Sequence, residues 1–263
     1  MKDQKNREDF LWKKLPIIEK ASLDLFYKEP SIEWKEDGSE VTEGDKAIEK
    51  DLRSDITREF PGDGIIGEEF GRQKPSDSDF EWSLDPIDGT VAFARGVPFF
   101  GHMVALREKG ETKCSWIHYP VFKKTLFAKA GEGTFLIKDW DRSNAEKCQV
   151  RKCGKFEKAF VCHSGYEYFR QAEMKDVFNR LTERAHRLRT WGDCFGYFLL
   201  VTGRIDLMID PVFKPWDLLP IELVVKEAGG EYRSLGLDEE GFSSGGVSGC
   251  KEMIETAMKE LFL

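Results

Sequence analysis

The sequence predicts a mixed fold, α+β in its first part and α/β in its second, on three observations. Short alternating apolar stretches separated by glycine turns fill residues 102–135, as in an antiparallel meander. From residue 159 to 228, strand-like and helix-like segments alternate, the pattern of an α/β layer. Between them, residues 138–155 are charged and weakly periodic, which marks the junction of two lobes, 1–145 and 146–263.

The elements follow in chain order. Residues 17–27 carry apolar side chains at near-helical spacing, and Pro16 fits the first turn of that helix. A polar loop over 35–39 comes next. Thr42 and Asp45 form a capping-box variant with Asp in place of the usual Glu, and Ile48, Leu52 and Ile56 make an i, i+4 stripe. A helix is therefore expected from about 43 to 60, ended by PGDG at 61–64. Ile65 and Ile66 then form a short buried strand leading directly into GEEFG at 67–71. Residues 80–84 read as a strand, followed by DPIDGT at 85–90 and a short helix through Phe93, so that acidic residues fall at strand ends.

In the second lobe the expected elements are a strand at 159–163, a helix at 171–182, a strand at 188–190, a helix at 194–202 and a strand at 205–209. A last helix, 217–228, stops at Gly229 and Gly230 and tolerates Pro220 as a residue of its first turn.

Composition narrows the function. With 263 residues, 40% hydrophobic and 33% charged, the chain has an ordinary globular balance and room for two packed lobes. A net charge of -8 supplies no basic field for nucleic acid or anionic lipid. The polar N-terminus lacks an apolar signal core, and no apolar run is long enough to cross a bilayer. A cytoplasmic protein with neither a membrane nor a nucleic-acid partner is expected. Six cysteines without a C-x-x-C pair and four histidines without H-E-x-x-H spacing read as structural, so any metal is to be held by oxygen.

Three acidic groups stand out: Glu68 with Glu69, Asp85 with Asp88, and Asp217 after Lys214, Pro215 and Trp216. Clustered carboxylates raise one another's pKa unless a cation neutralises them. Asp85 and Asp88 are spaced to bring two carboxylates and the Ile87 carbonyl to one site, a hard-oxygen set that suits magnesium or manganese. Gly89 and Thr90 then open a helix, where backbone N–H groups favour a phosphate.

GEE at 67–69, DPIDGT at 85–90 and Trp216 with Asp217 resemble the signature of the inositol monophosphatase family, and the likeness extends to VTEGD at 41–45 and KEAGG at 226–230. Within the family the chain is most similar to bacterial and plant histidinol-phosphatases, through residues 61–71, 192–194 and 207–217. The resemblance implies a layered αβαβα sandwich of the sugar-phosphatase type, with the metal site between the lobes, and a homodimer. It implies that Glu68, Asp85, the Ile87 carbonyl, Asp88 and Asp217 bind two or three magnesium ions, and that Glu68 and Thr90 position and activate water. It further implies that the Gly89 and Thr90 amides hold the phosphate, that Asp45 assists, and that Lys35 lies near the site.

Arg189, Asp193 and Asp210 match positions that face the rest of the substrate, alongside Ile87, Asp88 and Asp217; a plain helix cap is the other reading of Asp193. Three departures bear on specificity: Asp210 stands where the family generally has Glu, CHSG occupies 162–165, and Trp191 replaces a small residue. The expected activity is hydrolysis of a small phosphate monoester, first histidinol phosphate and second inositol or sugar phosphates. An interaction protein that keeps this fold is a third reading, against which the complete set of carboxylates argues.

Overall fold

The computed structural model describes residues 2–28, 30–35, 38, 40–74, 76–153, 155–239 and 241–263. Helix α1 (Lys2–Phe26) leads to two short paired strands, β1 (Glu33–Trp34) and β2 (Glu40–Val41), and then to α2 (Glu43–Glu59). α1 begins at Lys2 rather than at residue 17. Its early part is polar in sequence, yet Leu11, Trp12, Leu15 and Ile18 are buried and Arg7 forms a bidentate pair with Asp63, at 2.7 and 2.6 Å. Pro16 therefore lies inside the helix, on its exposed side. α2 is capped as expected: Gly44 N donates to Thr42 Oγ1 (3.2 Å) and Thr42 N to Asp45 Oδ2 (2.8 Å). The loop expected over 35–39 falls in part on residues 36, 37 and 39, outside the described residues.

The first large sheet contains β3 (Gly64–Gly67), β4 (Gly71–Gln73), β5 (Phe80–Asp88), β6 (Gly101–Glu108), β7 (Glu111–Tyr119), β8 (Lys124–Lys129), β9 (Gly133–Lys138) and β10 (Asp141–Lys147). Their order is β10-β9-β8-β7-β6-β5-β3-β4, and only β3 with β5 is parallel. The meander expected across 102–135 is present. β10 was not expected, because all of its residues are exposed and no alternation marks it. Helix α3 (Thr90–Ala94) interrupts the run between β5 and β6. Alternation divides the sheet's two faces. Trp82, Leu84, Val104, Leu106, Cys114 and Trp116 pack with α1 and α2, whereas Met103, Ile117 and Tyr119 enter a second core.

The second sheet follows with β11 (Phe160–His163), α4 (Tyr166–Gln171), α5 (Lys175–Arg184), β12 (Arg187–Arg189), α6 (Asp193–Val201), β13 (Leu207–Asp210), α7 (Pro215–Glu227), β14 (Glu231–Leu237), β15 (Ser243–Gly249) and α8 (Lys251–Ala257). Strand order is β12-β11-β13-β15-β14, parallel from β12 to β13 and antiparallel beyond. Tyr197 and Leu200 of α6 and Val224 and Val225 of α7 share the second core with residues of both sheets. Helices and sheets therefore alternate in layers: α1 and α2, the first sheet, α6 and α7, the second sheet, then α4, α5 and α8.

Two expectations in this half are corrected, and one element went unforeseen. The helix expected at 171–182 is two helices, separated where Glu173 adopts φ 58°. α7 starts at Pro215, so Pro220 lies in its second turn rather than its first. The β14–β15 hairpin was hidden by its Ser/Gly-rich sequence, in which the glycines serve packing: a Cβ on Gly246 would stand 2.1 Å from the Tyr232 ring.

Candidate metal centre

β5 does not end before Asp85 but continues through Asp88, and its register against β6 shifts on the way. Asp85 opposes Met103 and Asp88 opposes Gly101, which leaves Pro86 and Ile87 together facing His102. In a regular strand, residues three apart point to opposite faces. The extra residue of this bulge reverses that. Ile87 drops into the core beside Trp82 and Leu84, and Asp85 and Asp88 emerge on one side, facing Asp217 of α7. Ligand atoms of the three carboxylates all lie within 4.8 Å of one another.

Two of the three carboxylates are held by backbone N–H groups. Asp217 Oδ2 accepts from Lys214 N (3.0 Å) in the capping box of α7, and Asp88 Oδ2 accepts from Cys194 N (2.5 Å) in the first turn of α6. Asp85 is buried, and its Oδ1 has no hydrogen-bond partner. Burial raises all three pKa values, Asp217 to about 7, and the neighbouring acids add to it: Glu68 on Asp85 and Asp217, Asp193 on Asp88. An orphaned buried carboxylate oxygen among mutually repelling acids fits a hard divalent cation, which takes oxygen ligands and removes the repulsion.

Glu68 follows β3 in the turn toward β4. Lys35 Nζ donates to Glu68 Oε1 (2.9 Å) and Glu69 Oε1 (2.6 Å). Burial lifts the Glu68 pKa to about 7 in spite of the opposing Lys35 charge. Beneath this turn lies a residue the sequence did not single out. Glu49, fully buried on α2, accepts from Glu69 N (2.7 Å), Phe70 N (3.2 Å) and Arg53 Nε (2.7 Å). A Cβ on Gly67 would meet Glu49 Oε1 at 2.1 Å, so the clamp requires glycine there. In sequence, Glu49 and Arg53 look like any exposed i, i+4 pair.

Thr90 opens α3, and its Oγ1 lies 3.2 Å from Asp45 Oδ1 and 3.1 Å from the Ile87 carbonyl. Asp45 Oδ2 is committed to Thr42 N and Oγ1 (2.8 and 2.5 Å). Gly89 turns the chain with φ 84°, and a Cβ there would stand 2.9 Å from the Phe99 carbonyl and 3.5 Å from Asp193 Oδ2.

The remaining expected residues differ in their placement. Asp193 lies beside the Gly89 turn and keeps contact with solvent; protein closing around it, with the charge of Glu167, raises its pKa to about 6. Gly192 is the N-cap of α6 and makes no side-chain capping bond, so Asp193 is not the cap. Asp210 ends β13, buried, and accepts from the Tyr197 hydroxyl (2.7 Å). Arg189 is exposed on β12 and donates to the Leu188 carbonyl (2.8 Å); among the described residues no ion pair joins it to the carboxylates. Glu167 and Tyr168 of α4 come close enough for their charges to couple with Asp193, a proximity no sequence spacing signals.

Fold and carboxylate cluster together match a phosphatase superfamily of hydrolases. The chain belongs to the inositol monophosphatase family, whose model matches residues 15–259. It is similar to the histidinol-phosphatase of Chlorobaculum parvum, 34% identical over 220 residues that cover 82% of each protein. The histidinol-phosphatase of Mycobacterium tuberculosis is also 34% identical, over 215 residues covering 82% of this chain and 80% of that one. Among solved structures, the Thermotoga maritima IMPase superposes with a TM-score of 0.83 and 27% identity, covering 98% of this chain and 97% of its own.

Proposed function

We propose that the chain is a magnesium-dependent phosphate monoester hydrolase and that its substrate is histidinol phosphate. The observation that carries the hydrolase reading is the Asp85, Asp88 and Asp217 cluster with the unpartnered Asp85 Oδ1, next to a Thr90 hydroxyl held from behind. Asp85, Asp88, Asp217, Glu68 and the Ile87 carbonyl would hold two or three Mg2+, with Mn2+ as a substitute. A divalent ion in this position lowers the pKa of water and stabilises charge on a leaving oxygen.

The protein's own groups supply the rest. Thr90 has one proton and two acceptors behind it, Asp45 Oδ1 and the Ile87 carbonyl, so the lone pairs of Oγ1 face the cleft and accept from water. That orients the water's remaining lone pair toward phosphorus. Lys35 engages Glu68 Oε1 and leaves Oε2 to accept a hydrogen bond from the water and help activate it. The Gly89 and Thr90 amides would hold the phosphate.

The substrate assignment is supported by the two histidinol-phosphatases above and by Asp193 with Glu167 at the mouth of the cleft, which suit an ammonium or imidazolium. Asp210 already takes the Tyr197 hydroxyl, so Asp193 is the carboxylate we assign to the ligand. An inositol phosphate is the second reading, supported by the likeness to the Thermotoga maritima IMPase. The test is kcat/KM with Mg2+ on histidinol phosphate, inositol 1-phosphate and fructose 1,6-bisphosphate. Histidinol phosphate is expected to lead, and Asp193→Asn to lower its kcat/KM by roughly tenfold while affecting inositol phosphate less. Preference for inositol phosphate, or equal losses on both, rejects the histidinol assignment.

A further inference from the structure

β6 places His102 alone opposite the bulge of β5. A bulge takes its extra residue out of the strand ladder, and Pro86 brings to that place a carbonyl but no N–H. His102 Nδ1 meets the Pro86 carbonyl in a close hydrogen bond. A carbonyl only accepts, so Nδ1 carries the proton. Nε2 lies 3.0 Å from Ser22 Oγ of α1 and in this tautomer is the acceptor. The ring is 1% exposed, and burial, helped by His118, pushes its pKa down to about 3. It stays neutral, with its one proton on the Pro86 side.

We propose that His102 is a positioning residue of the metal centre: its Nδ1–H grips the Pro86 carbonyl and so holds the bulge that turns Asp85 and Asp88 to one side. Pro86 and Ile87 are the residues that separate these two acids, and a bulge that relaxed toward a regular ladder would return Asp88 to the face of Trp82 and Leu84. The two ring nitrogens of His102 are engaged by the Pro86 carbonyl and by Ser22. His102 acts through the backbone, and Ser22 ties its far side to α1.

The inference rests on reading the carboxylates as a Mg2+ site, so the readout is Mg2+ binding to the whole chain by titration calorimetry, with circular dichroism as the check of folding. His102→Leu removes the donor at similar bulk and is expected to weaken Mg2+ roughly tenfold or more, the size of effect seen when partners of metal ligands are lost. His102→Asn places an amide N–H where the Nδ1–H stands and is expected to remain within about threefold of the parent. His102→Gln, whose amide nitrogen matches Nε2 instead, follows His102→Leu. Parent-like affinity in the Leu and Gln variants, or equal losses in all three, overturns the proposal. If His102→Leu does not fold, the contrast between Asn and Gln decides it. A parent chain that binds no Mg2+ overturns the metal reading itself and this inference with it, an outcome distinct from any pattern among the variants.

Discussion

Thr90 has a hydroxyl held from behind by two acceptors, and removing it leaves in place the Gly89 and Thr90 amides, which in the proposed reading hold the phosphate. Thr90→Ala is therefore expected to lower kcat by roughly a hundredfold with little change in KM, since orientation of the water is lost and binding is kept. Steady-state kinetics on the preferred substrate checks this; a change confined to KM would make Thr90 a binding residue. At this scale the sequence was most informative where chemistry is local. Asp85, Ile87, Asp88, Gly89 and Thr90 are read from one six-residue string, and Asp45 from its capping position. Glu49 escaped notice, and His102 was read as structural without a partner, because the groups they bond, Glu69 and Pro86, are 20 and 16 residues away and only the folded sheet brings them together. The same holds for the Cys194 N–H that anchors Asp88, 106 residues distant.

The bulge of β5 and the turn into α3 show how an element, rather than a residue, sets the geometry. Gly89 combines φ 84° with a close approach to the Phe99 carbonyl, whereas Gly71, at φ 66°, faces open space. Gly89→Ala is expected to cost at least about 2 kcal/mol, against about 1 kcal/mol for Gly71→Ala, because both bear the left-handed backbone penalty and only the first adds a clash. In thermal melts that difference reads as a Tm lower by roughly 4–8 °C for Gly89→Ala and about half that for Gly71→Ala. Equal shifts would show that the Phe99 contact gives way. Element types were legible wherever apolar periodicity was strong, as in β6 to β9 and in α2. They were lost where pairing and packing in the fold, rather than an apolar pattern, define the element: the polar first half of α1, the exposed β10, and the Ser/Gly-rich β15. The extension of β5 through Asp88 was concealed for a further reason, since Pro86 ordinarily argues against a continuing strand.

At the scale of the molecule, layered helices and sheets bring Asp217, far along the chain, against Asp85 and Asp88, and the assembled acids store repulsion that a bound cation would relieve. Glu68 and Asp217, ordinarily at 4.5 and 3.8, are raised to about 7. Between those limits the folded chain keeps protons that the unfolded chain has released, so the stability of the ion-free protein falls as pH rises from about 4 to about 7. Below pH 7 Mg2+ must displace these protons, and the rise in Tm that it produces is expected to be larger at about pH 8 than at about pH 5. Melts with Mg2+ or EDTA at both pH values check this, and an equal rise at the two would contradict it. The layered architecture was legible chiefly through the resemblance carried by the acidic motifs, because local periodicity identifies strands without saying which sheet they join. The central claim is that these carboxylates hold Mg2+ for phosphate ester hydrolysis. Its most direct measurement is phosphate release from histidinol phosphate by the parent chain and by Asp85→Asn, each with Mg2+ and with EDTA. The account predicts release by the parent with Mg2+ alone, and a loss of more than about a hundredfold in the folded variant. Release that persists in EDTA, or a folded Asp85→Asn protein as active as the parent, would contradict it.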